Sequence, residues 1–63
     1  MAPGARAFVV DDVLATGGTA AAACALLTDV GVDVIGFGTL LEITGLDGRA
    51  RLAPIPVHAL LSL

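Results

Sequence analysis

The segment Arg6 to Val10 is a short apolar run with β-branched residues, and it stops abruptly at two adjacent carboxylates, Asp11 and Asp12. A continuous apolar run, unlike an alternating one, fits a parallel strand covered on both faces. A glycine-containing loop follows, and then an alanine-rich segment from about Thr19 to Val30. In it Ala23, Leu26, Leu27 and Val30 stand at i, i+3, i+4 and i+7, the spacing of one helical face. Gly31 is placed to end that helix in a left-handed conformation. Val32 to Ile43 is rich in Val, Ile, Phe and Leu and predicts a second strand. Its Gly36 and Gly38 share a face and admit a close neighbour. Strand, helix and strand in this order predict a right-handed crossover with parallel strands. Thr44 to Arg51 predicts a turn with one helical turn. Pro54-Ile55-Pro56 is expected to be extended, and Val57 to Leu61 to form a last strand at an edge. The predicted fold class is α/β: a parallel-sheet βαβ unit plus a C-terminal strand.

The chain has 63 residues, of which 57% are hydrophobic and 14% charged. That is more apolar side chain than a small sheet with one helix can cover. A domain of this size buries only about 60% of its unfolded surface, and Cys24 has no second cysteine to pair with. The composition therefore points to part of a larger domain, ahead of a chain that buries one face against a partner. A membrane span is not expected, because the longest apolar run, Ala20 to Leu27, falls well short of about 20 residues. A secretory signal is not expected either, because Asp11-Asp12 interrupts the first apolar stretch. The lone cysteine and missing signal predict a reducing cytoplasm. Three arginines against six acidic residues give a net charge of −3, which opposes nucleic-acid binding by phosphate neutralisation.

In parallel sheets, ligands bind beyond the carboxyl ends of the strands. The loop Val13-Leu14-Ala15-Thr16-Gly17-Gly18-Thr19 occupies that place, directly after Asp11-Asp12. Paired glycines allow unusual backbone angles and close approach of a phosphate to the main chain. Amides of the loop and of the helix N-terminus suit an anion. Thr16 and Thr19 add hydroxyl donors, and the small Ala15 leaves room. Asp11 and Asp12 can accept hydrogen bonds from vicinal sugar hydroxyls or help to hold a hydrated magnesium ion. The string is neither a P-loop nor a dinucleotide fingerprint, since it has no Gly-Lys-Ser/Thr and no Gly-x-Gly-x-x-Gly.

The full string Val9-Val10-Asp11-Asp12-Val13-Leu14-Ala15-Thr16-Gly17-Gly18-Thr19-Ala20 resembles the phosphoribosyl pyrophosphate (PRPP) signature of the type I phosphoribosyltransferases. Within that family it looks most like the adenine-specific branch, which characteristically carries Ala-Thr-Gly-Gly-Thr. Pro3-Gly4-Ala5-Arg6 matches the branch's lead-in. Leu41 to Arg49 resembles its Glu-Leu-Thr-x-Leu-x-Gly-Arg segment, and Leu52 to Val57 with Leu60-Leu61 looks like its closing strand. The resemblance implies that Ala15, Thr16, Gly17, Gly18 and Thr19 hold the 5-phosphate of PRPP or AMP. It implies that Asp11 and Asp12 bind the ribose 2- and 3-hydroxyls and are the catalytic carboxylates. The implied reaction is purine salvage: adenine plus PRPP gives AMP and pyrophosphate, with Mg2+ carried on the pyrophosphate and no protein-only metal site. The full-length family also implies a homodimer. Its members are longer, and their N-terminal half, which this chain lacks, supplies a base-binding hood, a pyrophosphate-contacting loop and a mobile catalytic loop. The whole chain, 1–63, then corresponds to a partial domain, and Met1 to an internal methionine, a truncated gene or a misplaced start.

Other residues have plainer expectations. Glu42 is expected to hydrogen-bond the following turn, with a ligand contact as the alternative. Cys24, with no adjacent base, is a small core residue and not a nucleophile. His58 is structural. Arg49 and Arg51 are solvated or pair with Glu42 or Asp47. Two other functions compete: a PRPP-using transferase for another base, and a non-catalytic PRPP- or nucleotide-binding module. A signalling receiver domain is set aside, because it would need a lysine, and this chain has none.

Overall fold

The computed structural model describes residues 4–63. Met1, and Pro3 of the lead-in to the first strand, lie outside the described residues. The elements run β1 (Arg6–Leu14), α1 (Gly18–Asp29), β2 (Asp33–Glu42), a 3-10 turn (Thr44–Leu46), α2 (Gly48–Leu52) and β3 (Val57–Ser62). The three strands form one sheet in the order β1-β2-β3, with both neighbouring pairs parallel. The expected βαβ unit with a C-terminal edge strand is present.

β1 runs four residues further than its apolar stretch. Asp11, Val13 and Leu14 pair with Thr39, Leu41 and Glu42 of β2, so the two aspartates lie within the strand and not beyond it. Main-chain pairing to a long central strand outweighs the low strand preference of Asp. The buried Thr39 reinforces this, its hydroxyl lying 3.0 Å from the Asp12 carbonyl and 3.1 Å from the Leu41 carbonyl.

α1 covers one face of the sheet with its smallest residues. Ala20 and Cys24 are buried, whereas Leu26 and Val30 are 69% and 61% exposed. The expected helical face, Ala23-Leu26-Leu27-Val30, is thus not the buried one. Ala and Cys let the helix axis approach the strands, and the core closes with Leu14, Phe37, Leu52 and Val57 around them. The helix ends as its glycine predicts. Gly31 has φ 86, its N–H donates to the Thr28 carbonyl, and the Val32 N–H donates to that of Leu27, the paired bonds of a Schellman ending.

The opposite face of the sheet remains open. Phe8, Val10, Leu40 and Leu60 are 50%, 73%, 58% and 78% exposed. The expectation that β1 is covered on both faces is therefore not met within this chain, which places its helices against the other face. Phe8 does occupy the glycine track of β2. A Cβ added at Gly36 or Gly38 would lie 2.6 or 2.9 Å from its ring. His58 rests against the same ring, 6.0 Å between centroids.

The turn after β2 is tied down by charge. Glu42 is buried and receives two hydrogen bonds from Arg49, Nη2 to Oε1 at 2.7 Å and Nε to Oε2 at 3.0 Å. Arg49 Nη1 also donates to the Val57 carbonyl at 2.8 Å. One arginine on α2 thereby joins the carboxyl end of β2 to the start of β3. Residues 53–55 form a turn and not the expected extended segment, since the Ile55 N–H folds back to donate to the Leu52 carbonyl at 2.9 Å, and Pro56 alone leads straight into β3.

The Arg49 hydrogen bonds hold the Glu42 carboxyl below its ordinary value, with burial opposing them. A carboxylate whose folded pKa is depressed contributes stability above its unfolded pKa and loses that contribution as pH falls through the folded one. Glu42→Gln is expected to lower the melting temperature by several degrees at neutral pH. The gap between the two proteins should narrow as acid protonates Glu42 in the wild type. Thermal melts of both across an acid series, followed by circular dichroism, check this.

Candidate functional site

Between β1 and α1 the chain has only Ala15, Thr16 and Gly17 in which to turn from strand to helix. Gly17 makes the turn in the left-handed region, at φ 85 and ψ 0, where a side chain is strained. It is also buried against α2. A Cβ there would lie 2.7 Å from the carbonyl oxygen of Gly48 and 2.9 Å from its Cα. The contact is reciprocal, because a Cβ on Gly48 would strike the Ala15 carbonyl oxygen and lie 2.9 Å from the Leu14 side chain. Two backbones thus meet with no side chain between them.

Gly18 is different. Its φ is not in the left-handed region, and a Cβ on it would meet only Thr16 Oγ1 at 3.8 Å and Arg51 Nη1 at 3.9 Å. Neither backbone angle nor packing requires glycine here. The empty space beside Gly18 is bordered by a hydroxyl and a guanidinium.

α1 begins at Gly18 with no side-chain cap and no acidic residue in its first turn. The first N–H groups of a helix have no intrahelical acceptor. Only the Gly18 N–H has a nearby side chain, at 3.5 Å from Thr16 Oγ1, which is at the limit of a hydrogen bond. An uncapped, uncharged helix start accommodates an anion.

The loop and the helix start form a depression of about 180 Å³, lined by Asp11, Val13, Leu14 and every residue from Ala15 to Ala20. The structure therefore brings Asp11, Ala15, Thr16, Gly17, Gly18 and Thr19 together. Asp12 does not line the depression. Both aspartates are exposed, and each carboxylate accepts the N–H of the next residue at 2.8 Å. Among the described residues no three His, Cys, Asp or Glu side chains gather to hold a metal ion. Cys24 is buried in the core, and burial pushes its thiol up, which disfavours the thiolate. Glu42 and Arg49 are occupied with each other, so the Glu42 ligand contact held open as an alternative is not what its geometry serves.

Sequence reasoning missed Gly48 and Arg51. Gly48 was expected only to help form a turn, and its contact with Ala15 is between residues far apart in sequence. Arg51 makes no ion pair among the described residues. Its Cβ instead sits 3.2 Å from where a Gly17 side chain would begin. No local pattern announces either contact. Also among the described residues, no helix is long and apolar enough to cross a membrane.

Known proteins share this fold. The chain is 57% identical to the adenine phosphoribosyltransferase of Clavibacter sepedonicus over its full length, which is 33% of that protein. The structure superposes on adenine phosphoribosyltransferase from Rhodothermus marinus with a TM-score of 0.94 and 50% identity, covering 100% of this chain and 36% of that one. It superposes with a TM-score of 0.85 and 27% identity on the Trypanosoma brucei enzyme in complex with AMP, pyrophosphate and ribose-5-phosphate, covering 94% of this chain and 29% of that one. The chain thus spans about a third of the length of the relatives it matches. The phosphoribosyl transferase domain matches residues 1–59. That span contains β1, the loop, α1 and the α2 contact that shapes the loop, and the chain belongs to the phosphoribosyl transferase domain family.

Proposed function

We propose that this chain supplies the ribose 5-phosphate-binding part of an adenine phosphoribosyltransferase, which converts adenine and PRPP to AMP and pyrophosphate in purine salvage. The observation that carries this reading is the open space at Gly18, bordered by donors at an uncapped helix start. The 5-phosphate sits against the amides of residues 15 to 19, with the Thr16 and Thr19 hydroxyls as further donors. Asp11, at the edge of the depression, and Asp12, beside it on β1, accept hydrogen bonds from the ribose 2- and 3-hydroxyls. Bond breaking at the anomeric carbon builds positive charge on the ribose, and these two carboxylates stabilise it electrostatically.

The donor set fits a magnesium ion that arrives on the pyrophosphate. The chain offers Asp11 and Asp12 as exposed carboxylates near the depression, and no closed cage of side chains among the described residues. When bound, the ion offsets charge on the departing pyrophosphate. Recognition of adenine and grip on the pyrophosphate fall to the portion of the relatives that this chain does not match. A homodimeric, cytoplasmic enzyme is the setting that goes with this reading. The coverage of about a third favours a second reading for the isolated chain: it binds PRPP or AMP without turnover.

Two experiments test the proposal. Titration of the 63-residue chain with PRPP and magnesium, followed by amide NMR, is expected to move Gly17, Gly18 and Thr19. An assay with adenine, PRPP and magnesium separates binding from turnover, since AMP formed by the pure chain would overturn the non-catalytic reading.

The adjacent glycines should fail in different ways. Gly17→Val forces a β-branched residue into the left-handed region and against the Gly48 backbone. It is expected to cost at least about 2 kcal/mol of stability with no ligand present. Gly18→Val should leave the fold intact and weaken PRPP binding by about tenfold or more, the equivalent of one charge-assisted hydrogen bond. Thermal melts and titrations of both variants check the contrast. Unchanged PRPP affinity in Gly18→Val would remove the ligand from this loop.

A further inference from the structure

We propose that Arg51 is a positioning residue for the phosphate monoester, its guanidinium supplying the positive charge that the loop itself lacks. This rests on the ribose 5-phosphate reading above and adds a residue to it from outside the loop.

The loop from Ala15 to Thr19 carries no charge, and Asp11 at its edge is a carboxylate. A dianionic phosphate entering here meets neutral amides and hydroxyls on one side and a negative charge on the other. The chain has three arginines, and no lysine, with which to offset this. Arg49 is committed to Glu42 and to the Val57 carbonyl. Arg6 opens β1, roughly 26 Å along the strand from Leu14 at a rise of about 3.3 Å per residue. Arg51 alone stands beside the loop and has no ion-pair partner among the described residues.

Its placement is fixed from the stem outward. The Arg51 Cβ packs at the Gly17 turn, 3.2 Å from where a side chain there would start, and Nη1 reaches 3.9 Å from the corresponding point at Gly18. The side chain therefore runs past the turn toward the helix start. Arg51 also borders the groove between α1 and α2, along with Ala21 and Cys24. Arg51 is exposed and does not itself line the depression, but its Nη1 lies close to the open position at Gly18, which does. The unused space at Gly18, with both Thr16 Oγ1 and Arg51 Nη1 within 4 Å of it, is where a phosphate oxygen accepts from both. A planar fork of donors suits such an oxygen.

The test uses ribose 5-phosphate as the probe and compares the wild-type chain with Arg51→Gln and Arg51→Lys, at low and at raised salt. Arg51→Gln is expected to weaken binding about threefold to fivefold at low salt, the size of an exposed ion pair. That difference should shrink as salt screens it. Arg51→Lys should retain most of the wild-type affinity, and the Arg51 Nε–H resonance of the wild type should move on titration. A merely structural role for Arg51 would give neither the salt-dependent gap nor rescue by lysine. Equal affinity of wild type and Arg51→Gln at low salt, with Gly18 and Thr19 still responding, would overturn the role of Arg51 and leave the ribose phosphate site standing. A wild-type chain whose loop amides ignore ribose 5-phosphate would overturn that site, and this inference with it.

Discussion

The structure turns on one close contact between backbones, where Gly17 of the loop meets Gly48 at the start of α2. The side-chain hydrogen bonding of this three-residue loop is weak, a single contact from the Gly18 N–H to Thr16 Oγ1 at 3.5 Å. The loop is braced from behind by an element that joins the fold much later in the sequence. The brace is itself anchored, because Arg49, the next residue after Gly48, reaches both Glu42 and the Val57 carbonyl. Strand end, turn, helix and loop thus form a chain of contacts that ends at the amides of the loop and the α1 start. Preorganised donors lose little freedom when a ligand arrives, so a site this small depends on its support.

That dependence separates two glycines which look equivalent in the sequence. Gly17 is required by the fold, through its left-handed φ and the Gly48 backbone behind it. Gly18 is required by nothing in the fold. A residue that the structure would allow to be larger, placed at an uncapped helix start, is the kind of local inconsistency that points to function. Open space beside the main chain, which the pairing of glycines suggests, is found at the second of the pair, while the first is filled by the Gly48 backbone.

Much of the architecture was legible because it rests on short-range rules. The apolar run of β1, the glycine that ends α1 and the valine-rich β2 each announce themselves, and parallel pairing follows from their order. The loop residues were legible for the same reason, since strand, loop and helix start are contiguous. What escaped is tertiary. α1 buries its alanine and cysteine side and leaves Leu26 and Val30 exposed, because closeness of approach decided which face packs, and size did not. β1 continues through two aspartates because β2 pairs with it that far. Arg51 and Gly48 meet the loop only through folding, and no spacing in the sequence joins residue 48 or 51 to residues 15 to 18.

The open face of the sheet bears on how such a chain keeps its site. Phe8, Val10, Leu40 and Leu60 present apolar surface to solvent, while the loop at the carboxyl end of β1 is supported entirely from the other face. Covering the open face would add hydrophobic stabilisation without altering the Gly17–Gly48 contact or the Glu42–Arg49 pair. The geometry of the loop and the stability of the sheet therefore draw on different parts of the molecule.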